Sequence, residues 1–278
     1  MAICVHCGAR KGERGCPALG GDICARCCGK HRLVDIGCPG DCRWLGGLAA
    51  LRAAPQRFTR EDEDGAFRRL VAFTESAREL ATGRDAFCAM LGVEARPLDD
   101  ELAEMTDALD EQTAAAITVH LAYGHRAADG TRAVDRFIPA HGRDLARGEA
   151  AAMVAMQRAR AALVTVVAAQ VGVGMVLRDR VTGDTVTVPT TPGDMPRMGT
   201  SMFVWLLDNA GTWLPGGPMI MIPPVALPAV TERLKALVDA APEADRRAVL
   251  AAAAPTVLAV LRAHAAASPE APSAPLQP

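Results

Sequence analysis

Hydrophobic residues in the middle of the chain recur at the spacing of helices. Large apolar side chains stand three or four positions apart over residues 59–92 and again over residues 97–125. A third helix is predicted over residues 132–160, with Gly142 as a candidate break. The apolar positions behind the first two helices are Phe67, Leu70, Val71, Phe73, Leu80 and Phe87, then Leu102, Met105, Leu109, Ile117 and Leu121.

After residue 160 the apolar pattern shortens to that of strands. Valine-rich runs are separated by turn signals at residues 181–184 and 208–211. Short strands joined by tight turns predict a small antiparallel β-barrel or curled sheet of the OB or SH3 size. The five predicted strands are residues 163–172, 174–179, 184–189, 202–207 and 212–214.

The order of these elements predicts an α+β protein in several units. A cysteine-rich module comes first, followed by a helical region, the β-module and two C-terminal helices over residues 229–240 and 242–267. The last residues contain four prolines and are predicted to be disordered. The predicted boundaries are 1–54, 55–160, 161–226, 227–267 and 268–278.

Eight of the nine cysteines fall between residues 4 and 42. A Cys-x-x-Cys step aims two thiolates at one ion, as tetrahedral zinc requires. The cysteines begin at residue 4, so no apolar signal segment precedes them and a secreted disulfide framework is not expected. An iron–sulfur cluster and uncoordinated thiols are the alternatives. The predicted zinc ligands are Cys4, Cys7, Cys16, Cys24, Cys27, Cys28, Cys38 and Cys42.

Eight cysteines provide four ligands for each of two zinc ions. Cys27 and Cys28 are adjacent, so their side chains diverge, and each suits a different ion in an interleaved module. His31 is an alternative ligand, although a solvated histidine in a basic run is the simpler interpretation. The two predicted sets are Cys4, Cys7 and Cys24 with one member of the adjacent pair, and Cys16, Cys38 and Cys42 with the other.

Three motifs in this region are Cys4-x-x-Cys7, Cys16-Pro17 and the run Ile23-Cys-Ala-Arg-Cys-Cys-Gly-Lys-His-Arg32. Together they resemble the HIT and MYND class of cross-braced zinc fingers, over about 40 of the 278 residues. Leu19 stands where that class carries a further ligand. The resemblance implies a protein-interaction module. The block that extends to Leu45 also looks like an uncharacterised group of bacterial cysteine-rich proteins, which implies no activity.

Composition limits the classes of partner. The net charge is −2, so no general attraction to nucleic acid is expected. The first 60 residues are basic, however, with ten Lys/Arg against four Asp/Glu, and a basic zinc module can contact phosphate. The most apolar run, residues 161–177, contains Gln170 and is rich in valine, which indicates buried strands and no membrane span. Reduced thiols without a targeting signal predict a cytoplasmic protein.

The sequence contains no P-loop, no zincin helix and no nucleophile elbow. His120 and His125 lie about 140° apart around a helix, so they do not share a face for one metal. An all-cysteine zinc site is closed and holds structure without activating water. The leading interpretation is a non-enzymatic protein-interaction or regulatory adaptor that binds a protein partner. The alternative is nucleic-acid binding by the zinc module and β-module, with Phe203, Trp205 and Trp213 as stacking residues.

Overall fold

The computed structural model describes most of the chain outside a gap in the helical region. The described residues are 2–32, 35–39, 42–44, 57–74, 116–171, 173–189, 197–217 and 219–267. The predicted helical residues 75–92 and 97–115 and the predicted disordered tail lie outside them. The described part confirms the predicted α+β class, with a curled antiparallel sheet and C-terminal helices.

The N-terminal module (residues 2–32, 35–39 and 42–44) contains a β-hairpin and a short helix. Strand β1 (Arg14–Cys16) pairs antiparallel with β2 (Gly21–Ile23). The turn between them uses Gly20 at a φ of 64°, a backbone conformation that glycine adopts without strain. Helix α1 (Ala25–His31) follows directly. The sequence pattern does not predict these two strands, because three residues are too few to show alternation.

The described part of the helical region lies on both sides of the gap at residues 75–115. Helices α2 (Arg60–Thr74) and α4 (Arg147–Gln157) approach closely, because Gly65 and Gly148 lack side chains where Glu149 and Asp62 pack. The predicted break at Gly142 is present, where the chain makes a 3₁₀ turn. The elements are α2 (Arg60–Thr74), a π-helical turn (His120–Gly124), α3 (Ala133–His141), the 3₁₀ turn (Gly142–Asp144) and α4 (Arg147–Gln157).

The main sheet has six described strands, one more than predicted. Its order is β5-β4-β3-β6-β7, and β8 pairs with the same edge of β6 as β7 does. The outer strands β5 and β7 contact each other, which curls the sheet. The missed strand is β8, three residues long and followed by two prolines. The strands are β3 (Arg160–Gln170), β4 (Gly174–Asp179), β5 (Thr185–Val188), β6 (Ser201–Asn209), β7 (Thr212–Pro215) and β8 (Ile220–Ile222).

Both faces of β6 are buried. Phe203 and Trp205 point towards the helices, and their rings meet edge to face with centroids 5.3 Å apart. Val204 and Leu206 point into the curl of the sheet. Two of the three aromatic residues considered for base stacking therefore lie in the core, where a nucleic acid cannot reach them.

The C-terminal helices pack on the same apolar core as Phe203 and Trp205. One continuous helix was predicted over residues 242–267, but the chain breaks it at Ala252 and Ala253. Within the described residues, no single helix has both the length and the hydrophobicity of a membrane span. The bent pair Glu243–Ala251 and Ala254–Ala265, which meet at 57°, reaches those criteria only jointly. The elements are α5 (Leu227–Ala240), a 3₁₀ turn (Glu243–Asp245), α6 (Arg246–Ala251) and α7 (Ala254–Ala267).

Asn209 joins the sheet to the start of α2, and its replacement should be costly. Its Oδ1 accepts hydrogen bonds from the backbone N–H groups of Arg57 (2.6 Å) and Phe58 (3.3 Å), and its Nδ2 donates to the Phe58 carbonyl (2.9 Å). Asn209→Ala leaves these buried groups unpaired and should lower the free energy of unfolding by roughly 2 kcal/mol in urea titrations. Thr185→Ala, at an exposed position of β5, is the control and should change it by less than about 0.5 kcal/mol. Equal effects of the two substitutions would contradict this role of Asn209.

Candidate metal centre

Four cysteine sulfur atoms meet within the N-terminal module. The Sγ atoms of Cys4, Cys7, Cys24 and Cys27 all lie within 4.8 Å of one another. Four sulfurs at about 2.3 Å from a central zinc ion stand roughly 3.8 Å apart, so a small contraction would bring these atoms to tetrahedral coordination. These residues, called the Cys4 cluster below, could hold a metal ion.

A tight turn positions Cys4 and Cys7, the first two cysteines of the cluster. The Cys4 N–H donates to the Arg10 carbonyl at 2.7 Å, and the Gly8 N–H donates to the Cys4 carbonyl at 2.9 Å. Gly8 has a φ of 61°, which lets the chain reverse immediately after Cys7. The reversal turns both sulfurs of this Cys-x-x-Cys step towards one point, as a metal knuckle requires.

The N-cap and the first turn of helix α1 carry the other two cysteines of the cluster. Cys24 is the N-cap, and its Sγ accepts a hydrogen bond from the Cys27 N–H at 3.4 Å. Each residue of a helix is rotated about 100° from the previous one, so Cys27 and Cys28 face different directions. Cys27 completes the Cys4 cluster, and Cys28 lies on the other side of the helix.

The thiols of the Cys4 cluster influence one another's ionisation. Burial raises the pKa of Cys4, but backbone hydrogen bonds at Cys24, Cys7 and His6 outweigh it and lower the pKa to about 6. Burial and the neighbouring cluster thiols raise the pKa of Cys27 to about 12. Negative charge is therefore stabilised at Cys4 and opposed at Cys27. A divalent cation would neutralise the additional thiolates, so the donor set fits zinc.

The other four N-terminal cysteines line one cavity. It measures about 10 Å³, near the smallest volume that can hold one water molecule. In the part of the chain that the structure describes, only the Cys4 cluster brings three or more metal-ligating residues together with their ligand atoms within 4.8 Å of one another. The two-site ligand set of eight cysteines thus stays a prediction. The walls of this space, called the Cys16 cavity below, are Cys16, Ile23, Cys28, Arg32, Ile36, Cys38, Cys42 and Trp44.

The two histidines near the cluster pack on each other. The His31 ring lies 4.3 Å from the His6 ring, measured between centroids, and His31 Nδ1 is 2.6 Å from Asp35 Oδ2. His31 lies outside the group of metal-ligating atoms formed by the Cys4 cluster. The simpler interpretation of His31, as a residue of the module surface, agrees with this geometry.

Several buried polar side chains lie together in the helical region, and they are poorly suited to catalysis. Burial lowers the pKa of His120 to about 3, with a smaller contribution from His125, and burial raises the pKa of Tyr123 well above its ordinary value. Glu63, which no sequence motif marks, is also buried nearby, and burial raises the pKa of its carboxyl group although Arg60 opposes the shift. His120 and Tyr123 are therefore uncharged at neutral pH and enclosed by protein.

Two further residues matter to the site and carry no sequence signal. Arg32 follows α1 and lines the Cys16 cavity, and its Nε donates to Oε1 of Gln170 at 2.7 Å. Gln170 ends β3, 138 residues further along the chain. Spacing and composition do not indicate a pairing over that separation.

Comparison with known proteins gives no relative: no protein-family model, no curated protein and no solved structure matches the chain. The resemblance to HIT and MYND fingers therefore stays a prediction, based on the cysteine motifs alone. The site itself supports one general statement, that the N-terminal module holds a cysteine cluster able to bind a metal ion.

Proposed function

We propose that the chain is a non-enzymatic, cytoplasmic zinc protein that acts as a protein-interaction or regulatory adaptor. The observation that carries this proposal is the convergence of four cysteine sulfurs in the Cys4 cluster. Four thiolates fill the coordination sphere of zinc and leave no position for water or substrate, so the metal stabilises the fold. The cytoplasm suits such a site because its thiols are kept reduced.

The module is proposed to bind two zinc ions, the second between Cys16, Cys28, Cys38 and Cys42. All four side chains line the same cavity, which supports this assignment. Metal analysis by mass spectrometry, on untagged protein purified without oxygen, should give two zinc ions per chain. One zinc ion would remove the second site. Iron and a brown colour would overturn the structural-zinc proposal and favour redox chemistry.

An exposed apolar surface on the module is the proposed partner site. Ile3, Val5 and Leu19, called the Ile3 face below, are 63%, 52% and 41% exposed. Val5 packs against Gly21, which brings it to the hairpin turn that contains Leu19. Ile3 pairs in an isolated bridge with Lys11, whose side chain is exposed. An apolar surface bordered by positive charge suits a protein segment with apolar and acidic residues.

Substitutions on the Ile3 face should test the adaptor proposal. Once a partner has been isolated after nuclease treatment, Ile3→Ser with Val5→Ser should weaken its affinity about tenfold or more. Val225→Ser is the matched control, because Val225 is 69% exposed just before α5. Both proteins should retain the zinc content of the wild type. An equal affinity for all three proteins would place the partner site elsewhere.

The alternative, nucleic-acid binding, draws support from the exposed basic residues Arg10, Lys11 and Lys30 of the module. It predicts an affinity for oligonucleotides that falls steeply with salt and decreases when these residues are neutralised. The burial of Phe203 and Trp205 removes two stacking residues that such a protein would use, so the adaptor is favoured.

A further inference from the structure

One arginine of the N-terminal module forms two hydrogen bonds with the main sheet. The Arg32 guanidinium donates from Nε to Gln170 Oε1 at 2.7 Å and from Nη2 to the Ala169 carbonyl at 3.0 Å, both at the end of β3. Its Nη1 donates to the Trp44 carbonyl at 2.6 Å. Gln170 is only 2% exposed and donates from Nε2 to the Lys30 carbonyl at 3.3 Å. Arg32 is thus fixed by the module and by the sheet at the same time.

The Cys16 cavity lies at this contact. Arg32 forms part of its wall, and Cys38 and Cys42 pack against the buried side chain of Val176 in β4. The cavity is therefore bounded by groups that touch the sheet. In the Cys4 cluster, by contrast, Cys7 is exposed.

The positive charges around the Cys16 cavity also favour a zinc ion bound by four thiolates. A zinc ion with four thiolates carries a net charge of −2, and guanidinium groups nearby would compensate it. Arg32 is in the cavity wall. Arg14 and Arg43 place their guanidinium carbons 4.9 and 4.7 Å from the ring centroid of Trp44, which is also in the wall. An occupied cavity would attract Arg32 to the position in which it holds Gln170.

We propose that a metal ion in the Cys16 cavity latches the N-terminal module onto strands β3 and β4 through Arg32; this latch rests on the second zinc site of the proposed function. The metal would join Cys38 and Cys42, which contact β4, to Cys28 in α1, the helix that Arg32 follows. Both contacts with the sheet would then belong to one rigid unit. Without the metal, the two contacts are no longer tied to each other.

Gln170→Ala tests the latch from the side of the sheet, because it changes no cysteine. Coupling between two binding events is reciprocal, so weaker docking of the module on the sheet must also lower the affinity of the Cys16 cavity for its metal ion. In competition with a chromophoric chelator, the full-length Gln170→Ala variant should bind one of its two zinc ions with about tenfold lower affinity than the wild type. Its affinity for the other zinc ion should be unchanged. Thr165→Val is the control on the same strand, where the Thr165 hydroxyl lies 2.8 Å from Ser201 Oγ.

Hydrogen exchange tests the latch from the side of the metal. Cys38→Ser with Cys42→Ser should remove one zinc and make the amides of residues 167–171 and 173–176 exchange about tenfold faster. Cys7→Ser should also remove one zinc, from the Cys4 cluster, and leave those amides unchanged. Arg32→Gln keeps all the cysteines and should give the same faster exchange at saturating zinc, so the test survives misfolding of the double variant.

Two results would overturn the latch and leave the two-zinc module standing. In the first, Cys38→Ser with Cys42→Ser lowers the zinc content from two ions per chain to one, but the amides of β3 and β4 exchange as slowly as in the wild type. The other is an identical chelator titration for Gln170→Ala and the wild type. A wild-type chain with a single zinc ion, lost on Cys7→Ser, would overturn both the latch and the second site.

Discussion

Replacing Cys24 with serine is expected to abolish metal binding by the Cys4 cluster and to unfold the tight turn that carries Cys4 and Cys7. Serine retains a side-chain oxygen that can cap α1, so the cap contributed by Cys24 is preserved. The thiolate ligand is lost. In small all-cysteine modules the free energy of zinc binding is also folding free energy, about 10–16 kcal/mol at neutral pH. The affinity should therefore fall by more than about 100-fold, the upper range for residues that only support a ligand.

The measurement is zinc per chain before and after dialysis against a chelator, together with hydrogen exchange of residues 2–32. The ninth cysteine, Cys88, lies outside the described residues and outside the predicted ligand set, so Cys88→Ser is the matched control. It should keep the zinc content and the affinity of the wild type. Wild-type affinity in Cys24→Ser would show that this cluster is not the metal site.

The second large effect is a loss of stability in acid caused by His120. The pKa of His120 is about 3 in the folded chain, against about 6.5 in the unfolded chain, because burial disfavours the charged ring. Between these values the unfolded state binds more protons, so the free energy of unfolding decreases as the pH falls from about 6.5 towards 3. At pH 4 the contribution amounts to roughly 3 kcal/mol.

His120→Leu isolates this contribution, because leucine cannot take up a proton and suits the buried position. Urea titrations of both proteins at pH 7 and pH 4 should show that the wild type loses roughly 3 kcal/mol more than the variant. Zinc release in acid affects both proteins and cancels in the difference. His125, whose ring centroid is 6.1 Å from that of His120, is retained in both. If the free energy of unfolding fell equally in both proteins between pH 7 and pH 4, His120 would have to be protonated in the folded chain at pH 4.

The strands show how far alternation can predict a sheet. Residues 202–207 are all apolar, and successive side chains of β6 take two distinct faces, as predicted. That both faces are buried follows from the curl of the sheet on one side and from the helices on the other. Strand β8 has only three residues, so pairing with β6 defines it more than its own pattern does. The break at Ala252 in the last helix comes three residues before Pro255, a local signal that the prediction of one helix over residues 242–267 did not use.

The cysteines show the same division. The Cys-x-x-Cys step and its glycine bend are local, and for this reason the sequence predicts that Cys4, Cys7 and Cys24 belong together. It leaves the choice between Cys27 and Cys28 open. The orientation of α1 makes this choice, because it turns Cys27 towards the cluster and Cys28 towards the Cys16 cavity.

By itself, the sequence determined the α+β class, the antiparallel strands with their tight turns and the cysteine-rich module, because each depends on patterns within a few neighbouring residues. Only the tertiary structure decided where the module meets the sheet. Arg32 and Gln170 are ordinary residues until folding brings them within 2.7 Å across 138 positions. Such contacts depend on the packing of whole elements, which no local pattern encodes, and here Cys38 and Cys42 pack against the β-sheet.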